Sequence, residues 1–272
     1  MKKSVRILSL VMIVALMASL FGGCKAASDN GTTAAGGGTT AAQTGLDKIK
    51  ASGQIVMLTN AAFPPFEYYK NNEIVGVDVD IANEIAKEIG VKLVVKHMDF
   101  DFICDYIKAG KGDIGVAGMS ITEDRKKQVN FSVEYITSTQ YVIVPKGTDT
   151  ASYKLDGKVI GVQAGTTGDL YYASDPEVIK AKEVKKYKSA IDAASDMILG
   201  RVDCVIIDEM PAKKIVSQHS DKLVCYDPGY EPESYAIAVS KDNPELLETV
   251  NKVLNNLIKD GKVSEYVIKH SS

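Results

Sequence analysis

The sequence predicts an α/β protein with two lobes of similar construction, and three observations support this fold class. Short apolar runs alternate with segments of helical periodicity along the 272 residues. A helix that ends at glycine, followed by a basic residue, a spacer, an aspartate and a strand, occurs twice, at Gly110–Asp113 and Gly200–Asp203. A glycine-rich turn from a strand into a helix also occurs twice, at residues 118–125 and 163–170. Two such turns in two lobes suggest one ligand between them.

The composition is ordinary for a soluble protein, with 45% hydrophobic and 25% charged residues. The length allows one or two domains. The formal net charge of -3 provides no basic field, so nucleic acid is not an expected partner.

The N-terminus is typical of a secretory signal peptide. Lys2 and Lys3 precede an apolar run over residues 7–21, which is short for a spanning helix, and small residues follow it. A retained membrane anchor is the alternative. Gly22-Gly23-Cys24 resembles the end of a bacterial lipoprotein signal, which implies a signal peptide at residues 1–23 and a lipid (palmitate) on Cys24.

Residues 26–44 consist almost entirely of Ala, Gly, Thr and Ser. This composition cannot bury a core and behaves as a flexible tether. We therefore assign residues 24–45 to the lipid anchor and a linker.

The first lobe begins with a strand at Gln54–Thr59 and a stiff loop that contains Pro64 and Pro65. Ligands bind at the carboxyl ends of strands in α/β folds, which makes Asn60 and Phe63 site candidates and leaves Phe66 for packing. A short strand is predicted at Ile74–Asp78, a helix up to Gly90 and a strand at Leu93–Val95. Phe100 follows that strand as a second loop aromatic, with core packing as its alternative role.

The central stretch runs from the apolar strand Ile114–Ala117 through Gly118 and Ser120 to Arg125. Thr122 is a plausible N-cap for the helix that follows. Backbone N–H groups, a hydroxyl and a guanidinium at one turn suit a carboxylate. The alternative is a capped surface helix with a solvated arginine.

The second lobe repeats this arrangement. A strand at Lys158–Val162 leads into Gln163-Ala164-Gly165-Thr166-Thr167-Gly168, a turn rich in hydroxyl and N–H donors. It lacks the Gly-Lys-Ser/Thr of a phosphate loop. Asp208 ends the strand that begins at Cys204, where it either faces a cleft or caps a helix. Further strands are predicted at Leu223–Tyr226 and Tyr235–Val239.

The remaining cysteines and the histidines suggest no metal site. Cys104, Cys204 and Cys225 form an odd set without C-x-x-C spacing. Free thiols are the default, and a bridge between Cys204 and Cys225 stays open. The three histidines are scattered, so neither a metal nor a cofactor is expected.

An α-amino acid needs a cation and N–H donors for its carboxylate, a carboxylate for its ammonium and a surface for its side chain. Arg125, Asp208 and the pair Phe63 and Phe100 supply these groups. Each charge tolerates desolvation only when the ligand pairs with it.

Several motifs together resemble the family-3 solute-binding proteins of polar amino-acid ABC importers, over Leu46–His270. The matching segments are Phe63-Pro64-Pro65-Phe66-Glu67-Tyr68, Gly76-Val77-Asp78-Val79-Asp80, Gly118–Arg125, Phe131-Ser132, Gly157-Lys158 and Gly165–Gly168. The resemblance implies a two-lobed periplasmic-binding-protein-like fold of type II, with two hinge strands and a ligand cleft between the lobes. It places lobe 1 at 46–139 and 230–272, and lobe 2 at 140–229.

The resemblance also implies residue roles. Arg125 would hold the α-carboxylate with the backbone N–H groups of Ser120 and Thr167, and Thr166 belongs to the same turn. Asp208 and the carbonyl of Gly118 would take the ammonium, and Phe63 and Phe100 would flank the ligand. Asn60 and Gln163 would face its side chain. These two neutral amides favour an uncharged polar side chain.

By this resemblance the protein is an extracytoplasmic, lipid-anchored monomer without enzymatic activity. It captures an L-amino acid by closure of the cleft and delivers it to the permease and ATPase subunits of an ABC transporter. A dehydratase acting on a small carboxylate and a sensory ligand-binding domain are the alternatives, and no catalytic pair stands out in support of the first.

Overall fold

The computed structural model describes residues 45–271. The predicted signal peptide at 1–23, the lipid anchor at Cys24 and the tether up to residue 44 lie outside the described residues. The first helix begins at Gly45, where the predicted tether ends.

The elements follow one another in alternation along the chain. In the first half they are α1 (Gly45–Ser52), β1 (Gln54–Thr59), β2 (Ala62–Phe63), β3 (Glu67–Lys70), β4 (Glu73–Val75), α2 (Val77–Ile89), β5 (Lys92–His97), a 3₁₀ turn (Phe100–Phe102), α3 (Ile103–Lys108), β6 (Ile114–Gly115), α4 (Glu123–Gln128), β7 (Asn130–Phe131) and β8 (Ile136–Ser138). In the second half they are β9 (Gln140–Pro145), β10 (Val159–Gln163), a π-helical turn (Gly168–Ala173), β11 (Glu183–Tyr187), α5 (Ala190–Ile198), β12 (Cys204–Asp208), α6 (Glu209–Gln218), β13 (Leu223–Tyr226), β14 (Glu233–Tyr235), β15 (Ala238–Val239), α7 (Pro244–Lys259) and α8 (Lys262–Ser271).

Sheet 1 forms the first lobe and has the order β5-β1-β6-β15-β7. β1 is parallel to both β5 and β6, while β15 returns from the C-terminal part of the chain and pairs antiparallel with β6 and β7. Helix α2 packs against β1, β5 and α7. Its apolar residues recur at helical spacing, and Ile81, Ala82 and Ile85 are fully buried.

Sheet 2 forms the second lobe and has the order β11-β10-β12-β9-β13. β10 is parallel to β11 and β12, and β9 is antiparallel to β12 and β13. Every residue of the central strand β12 is buried, as the apolar run Cys204–Ile207 predicts. Helix α5 covers β10 and β12. The predicted fold of two α/β lobes is therefore confirmed.

Two strands connect the lobes. β8 leads out of the first sheet toward β9, β14 leads back, and the two pair antiparallel from Glu233↔Ser138 to Tyr235↔Ile136. We call this pair the hinge strands. β2, β3 and β4 form a small separate sheet, and the proline-containing loop joins β2 to β3.

Some predicted boundaries are wrong for identifiable reasons. The strand expected at Ile74–Asp78 ends at Val75, because Gly76 adopts a φ of 142° and α2 begins at Val77. A Cβ at Gly76 would lie 1.9 Å from the carbonyl oxygen of Phe66, so only glycine fits there. The run expected at Tyr235–Val239 is divided between β14 and β15.

The three described cysteines are free thiols. Cys204 and Cys225 lie on β12 and β13, and β9 runs between these strands. Two strand spacings amount to about 9–10 Å, which exceeds the Cα separation that a disulfide can span. The bridge left open by the sequence is therefore excluded in this fold.

Within residues 45–271, no helix combines the length and the apolar character needed to cross a membrane.

Candidate functional site

The carboxyl ends of strands from both lobes meet at one cavity. β1, β10 and β12 deliver Asn60, Gln163 and Asp208 to it, and the turns after β6 and β10 complete its wall. All ten residues that the sequence analysis selected line this cavity, together with Glu67 and Ala117: Asn60, Phe63, Phe100, Gly118, Ser120, Arg125, Gln163, Thr166, Thr167 and Asp208.

The cavity is small and its walls are close together. About 300 Å³ of space lies between its atoms, the mouth included. A narrow cavity of this kind suits a ligand of few heavy atoms.

The turn after β6 brings a guanidinium to the cavity. Gly118 adopts a φ of 51°, and Thr122 caps helix α4 by accepting a hydrogen bond from the backbone N–H of Arg125 at 3.2 Å. This cap is the predicted one. The Arg125 side chain donates from Nη1 to the carbonyl of Ser120 at 2.6 Å, and its Cζ lies 5.1 Å from the centre of the Phe100 ring.

The surroundings of Arg125 favour a bound anion. Burial lowers the pKa of Arg125, and the nearby groups Cys104, Glu233 and Asp208 oppose that shift. The guanidinium stays cationic because its intrinsic pKa is so high. Since both carbonyl acceptors of its hydrogen bonds are neutral, a ligand carboxylate would supply the missing countercharge.

The turn after β10 supplies hydroxyl groups. Thr166 Oγ1 donates to the carbonyl of Gln163 at 2.8 Å and accepts from the N–H of Asp169 at 3.2 Å, which fixes the turn. Thr167 Oγ1 accepts from Nε2 of Gln140 at 3.2 Å and donates to Oε2 of Glu233 at 2.7 Å. Neither Gln140 nor Glu233 was among the residues selected from the sequence.

Asp208 stands at the N-cap position of α6 without making a capping hydrogen bond. Its Oδ1 accepts instead from the hydroxyl of Tyr235 at 2.6 Å, and the side chain is buried at the cavity wall. Burial raises the pKa of Asp208 to about 6, with a further contribution from the charge of Glu233. A bound ammonium would stabilise the ionised form.

Glu67 is a cavity residue that sequence reasoning missed. It is fully buried on β3, and neither of its carboxylate oxygens receives a hydrogen bond from the described residues. Burial raises its pKa well above the usual value, and the charge of Asp78 acts in the same direction. A carboxyl directly after Pro64-Pro65-Phe66, a loop already assigned to the site, was the available signal.

Asp78 is a buried carboxyl that holds part of the cavity wall in place. Its Oδ1 accepts from the hydroxyl of Tyr135, and its Oδ2 accepts from the backbone N–H of Gly118, both at 2.8 Å. Because both of its oxygens accept hydrogen bonds, Asp78 fixes the position of Gly118. Of the neighbouring carboxyls Asp78 and Glu67, only Glu67 lines the cavity.

The two lobes touch across the cleft. Gln163 Nε2 donates to Asn60 Oδ1 at 3.2 Å, and Arg125 Nη2 donates to the carbonyl of Gly165 at 3.0 Å. At the rim, the hydroxyl of Tyr171 donates to Asp124 at 3.2 Å. The structure is thus a closed form in which each lobe provides part of the wall.

No group of three or more His, Cys, Asp or Glu side chains suited to a metal ion occurs in the part of the chain that the structure describes. Between residues 45 and 271 the cavity wall itself combines a guanidinium, two carboxyl groups, two amides and two aromatic rings. Such a wall suits a zwitterion.

Comparison with known proteins gives consistent matches. The family model for bacterial extracellular solute-binding proteins, family 3, matches residues 55–271. The arginine-binding periplasmic protein of Mannheimia haemolytica is 33% identical over 221 residues, which cover 79% of this chain and 90% of that protein.

Solved structures agree with the sequence relatives. A crystal structure of a mutant of ArgBP from T. maritima superposes with a TM-score of 0.77 at 38% identity and covers 83% of this chain and 98% of that one. An ancestral arginine-binding protein bound to glutamine has a TM-score of 0.73 at 40% identity, with 80% and 97% covered.

Proposed function

Since the chain belongs to the bacterial extracellular solute-binding proteins of family 3, we propose that its ligand is an L-amino acid with a cationic side chain, arginine first. The protein is an extracytoplasmic amino-acid-binding protein that captures its ligand and delivers it to an ABC transporter. The dehydratase alternative is not favoured, because the relatives are binding proteins of transport systems. We propose further that the chain does not convert its ligand.

The buried carboxyl of Glu67 carries the choice of a cationic side chain. Arg125 and Asp208 match the carboxylate and the ammonium of any amino acid. This leaves Glu67 and Asp78 as a buried acidic pair with no cationic partner among the described residues. Ionising both carboxyls in a buried site is costly unless a positive charge pairs with them. A guanidinium in the cavity would supply that charge, and Phe63 and Phe100 would offer it ring faces.

The neutral amides of Asn60 and Gln163 support the expectation of an uncharged polar side chain, of which glutamine is the example. Relatives fit both possibilities, since an ancestral arginine-binding protein also binds glutamine. Glu67 distinguishes them, because a protonated Glu67 accommodates an amide whereas an ionised Glu67 favours a guanidinium.

Calorimetric titration of the ligand-free chain with arginine, lysine, histidine, cystine and glutamine tests the proposal. We expect arginine to bind most tightly. Glu67→Gln should weaken arginine binding at least about tenfold, the usual effect of removing a charged hydrogen-bonding partner, and should leave glutamine binding within about threefold. Glutamine binding more tightly than arginine would reject the cationic ligand and favour the uncharged one.

Three further measurements test turnover, assembly and membrane anchoring. We propose a monomer with lobe boundaries at 46–139 with 230–272 and at 140–229, anchored to the membrane through a lipid on Cys24. Recovery of unchanged amino acid after prolonged incubation, a monomer mass in solution and loss of membrane association in Cys24→Ala are the expected results. A chemically altered ligand would point to an enzyme.

A further inference from the structure

We propose that Glu233, on a hinge strand, holds both lobes together in the closed form and thereby prolongs retention of any amino acid in the cleft. This rests on the proposed function, since it assigns a positioning residue to amino-acid capture by closure. Glu233 does not line the cavity.

One carboxylate oxygen contacts both lobes. Oε2 of Glu233 accepts a hydrogen bond from Ser120 Oγ at 2.6 Å and another from Thr167 Oγ1 at 2.7 Å. Ser120 belongs to the turn after β6 in the first lobe, and Thr167 to the turn after β10 in the second. Glu233 itself is half-buried on β14, between the two.

The proton count assigns these hydroxyls to Glu233 and not to the ligand. Each hydroxyl carries a single proton, and both protons point to the same carboxylate oxygen. A ligand carboxylate in the cavity would then be held by the guanidinium of Arg125 and by backbone N–H groups. Glu233 and the ligand therefore use different donors of the same two turns.

The geometry makes the link conditional on closure. When the lobes separate, the two turns move apart, and one carboxylate oxygen can no longer accept from both hydroxyls. Hydrogen bonds to an ionised acceptor are stronger than neutral ones. The link therefore stabilises the closed form relative to the open form, whichever side chain the ligand carries.

Stopped-flow binding of arginine and of glutamine to wild type, Glu233→Ala and Glu233→Gln tests the proposal. We expect Glu233→Ala to raise the dissociation constant about tenfold for both ligands by the same factor. The change should lie in the dissociation rate, because the lost bonds act after closure. Glu233→Gln should fall between wild type and Glu233→Ala, because its amide oxygen still accepts from both hydroxyls but the two hydrogen bonds are no longer charge-assisted.

The control is Glu134→Ala, which removes an exposed carboxylate from the same rim and should leave both rates unchanged. The melting temperature of the ligand-free Glu233→Ala chain should equal that of wild type, since the link forms only on closure. A double-mutant cycle tests the contact between Glu233 and Thr167. The double variant Glu233→Ala/Thr167→Val should have about the same dissociation constant as whichever single variant binds less tightly.

Unchanged affinity in Glu233→Ala would overturn the proposal. Tighter binding would also overturn it, because it would show that Glu233 competes with the ligand carboxylate. Unequal losses for arginine and glutamine would assign Glu233 to side-chain selection, and a lowered melting temperature of the ligand-free chain would assign it to folding. Failure of wild type to bind any amino acid would instead reject the proposed function.

Discussion

Arg125 is the residue on which we expect capture of a carboxylate to depend most. In the closed form its guanidinium lies between the Ser120 and Gly165 carbonyls and above the Phe100 ring. Ser120 and Phe100 belong to the first lobe, so these two contacts can set the position of the guanidinium before the lobes close. A carboxylate bound by such a preset cation gains charge-assisted hydrogen bonds, each contributing about 1.5–3 kcal/mol.

We expect Arg125→Ala to weaken amino-acid binding by about a thousandfold or more, since at least two such bonds are lost. Titration calorimetry measures the loss, and circular dichroism checks the fold. The control is Arg201→Ala, which removes an exposed arginine that is paired with Asp196. This variant should bind the ligand like wild type. Retained affinity in Arg125→Ala would contradict the assignment of Arg125 to the ligand carboxylate.

We expect Asp208 to make ligand binding depend on pH. Burial holds its pKa near 6 without ligand, and an ammonium ligand favours the ionised form. Binding therefore releases a proton below about pH 6. Affinity should be constant above that pH and fall as the pH decreases, by at most tenfold per unit for one group.

Ionisation of Glu67 would also strengthen the binding of arginine as the pH rises. The pH dependence that belongs to Asp208 is therefore best measured on Glu67→Gln with glutamine as the ligand. Titrations from pH 7.5 to 5, in two buffers of different ionisation enthalpy, give the affinity and the protons released. A constant affinity over this interval would contradict the role of Asp208.

Sequence reasoning found the site residues that stand beside local signals. Gly118, Ser120 and Arg125 follow a strand and a glycine turn, and Asp208 ends an apolar run. Glu233 carries no such signal, because its partners Ser120 and Thr167 lie 113 and 66 residues away along the chain. Glu67 was missed because its burial depends on how β3 packs.

Among the elements, the turn from β6 to α4 is the one most constrained by shape. Gly118 combines a φ of 51° with a close neighbour, since a Cβ there would lie 2.5 Å from Cε1 of Phe63. Any side chain at this position would displace the Phe63 ring, which lines the cavity.

We expect Gly118→Ala to weaken ligand binding at least about tenfold and to lower stability by about 1–2 kcal/mol, the cost of left-handed backbone for a non-glycine residue. Gly110→Ala is the matched control, with a φ of 67° and no atom within 4 Å of its Cβ. It should show a similar loss of stability with unchanged affinity. Denaturant unfolding and calorimetry on both variants separate the two effects.

Element types followed from periodicity, whereas element ends followed from contacts. The helical spacing of Ile81, Ile85 and Ile89 predicts α2. Its start at Val77 depends on Gly76 and on the Phe66 carbonyl beside it, a contact that periodicity does not reveal. The same limit applies to β14 and β15, whose division depends on different partner strands.

The contacts that join the two lobes in the closed form differ in how much they stabilise it. Lys188 and Asp99 form an ion pair between the lobes at 3.0 Å, with 78% of the lysine side chain exposed. Exposed pairs of this kind contribute little and are screened by salt. The buried contacts of Arg125 and Gln163 act where water is excluded.

We therefore expect Lys188→Ala to change the dissociation constant less than about threefold at physiological salt and not at all in 1 M salt. Calorimetry at the two salt concentrations measures this. A tenfold loss that persists in high salt would show that the rim pair holds the lobes closed.

The two-lobe plan was visible in the repeated pattern around Gly110 and Gly200. The strand order was not, because β15 lies between β6 and β7 although the whole second sheet precedes it in the chain. Neighbours so distant in sequence leave no local pattern.

This position of β15 also sets an order of assembly. The strands of sheet 2 lie within one continuous stretch, residues 140–226, so a nascent chain carries all of them before Ala238 and Val239 emerge. Sheet 1 stays open between β6 and β7 until those two residues arrive. We therefore expect the cleft to form last, because a chain that stops before Ala238 carries every strand of sheet 2 but lacks β15 of sheet 1.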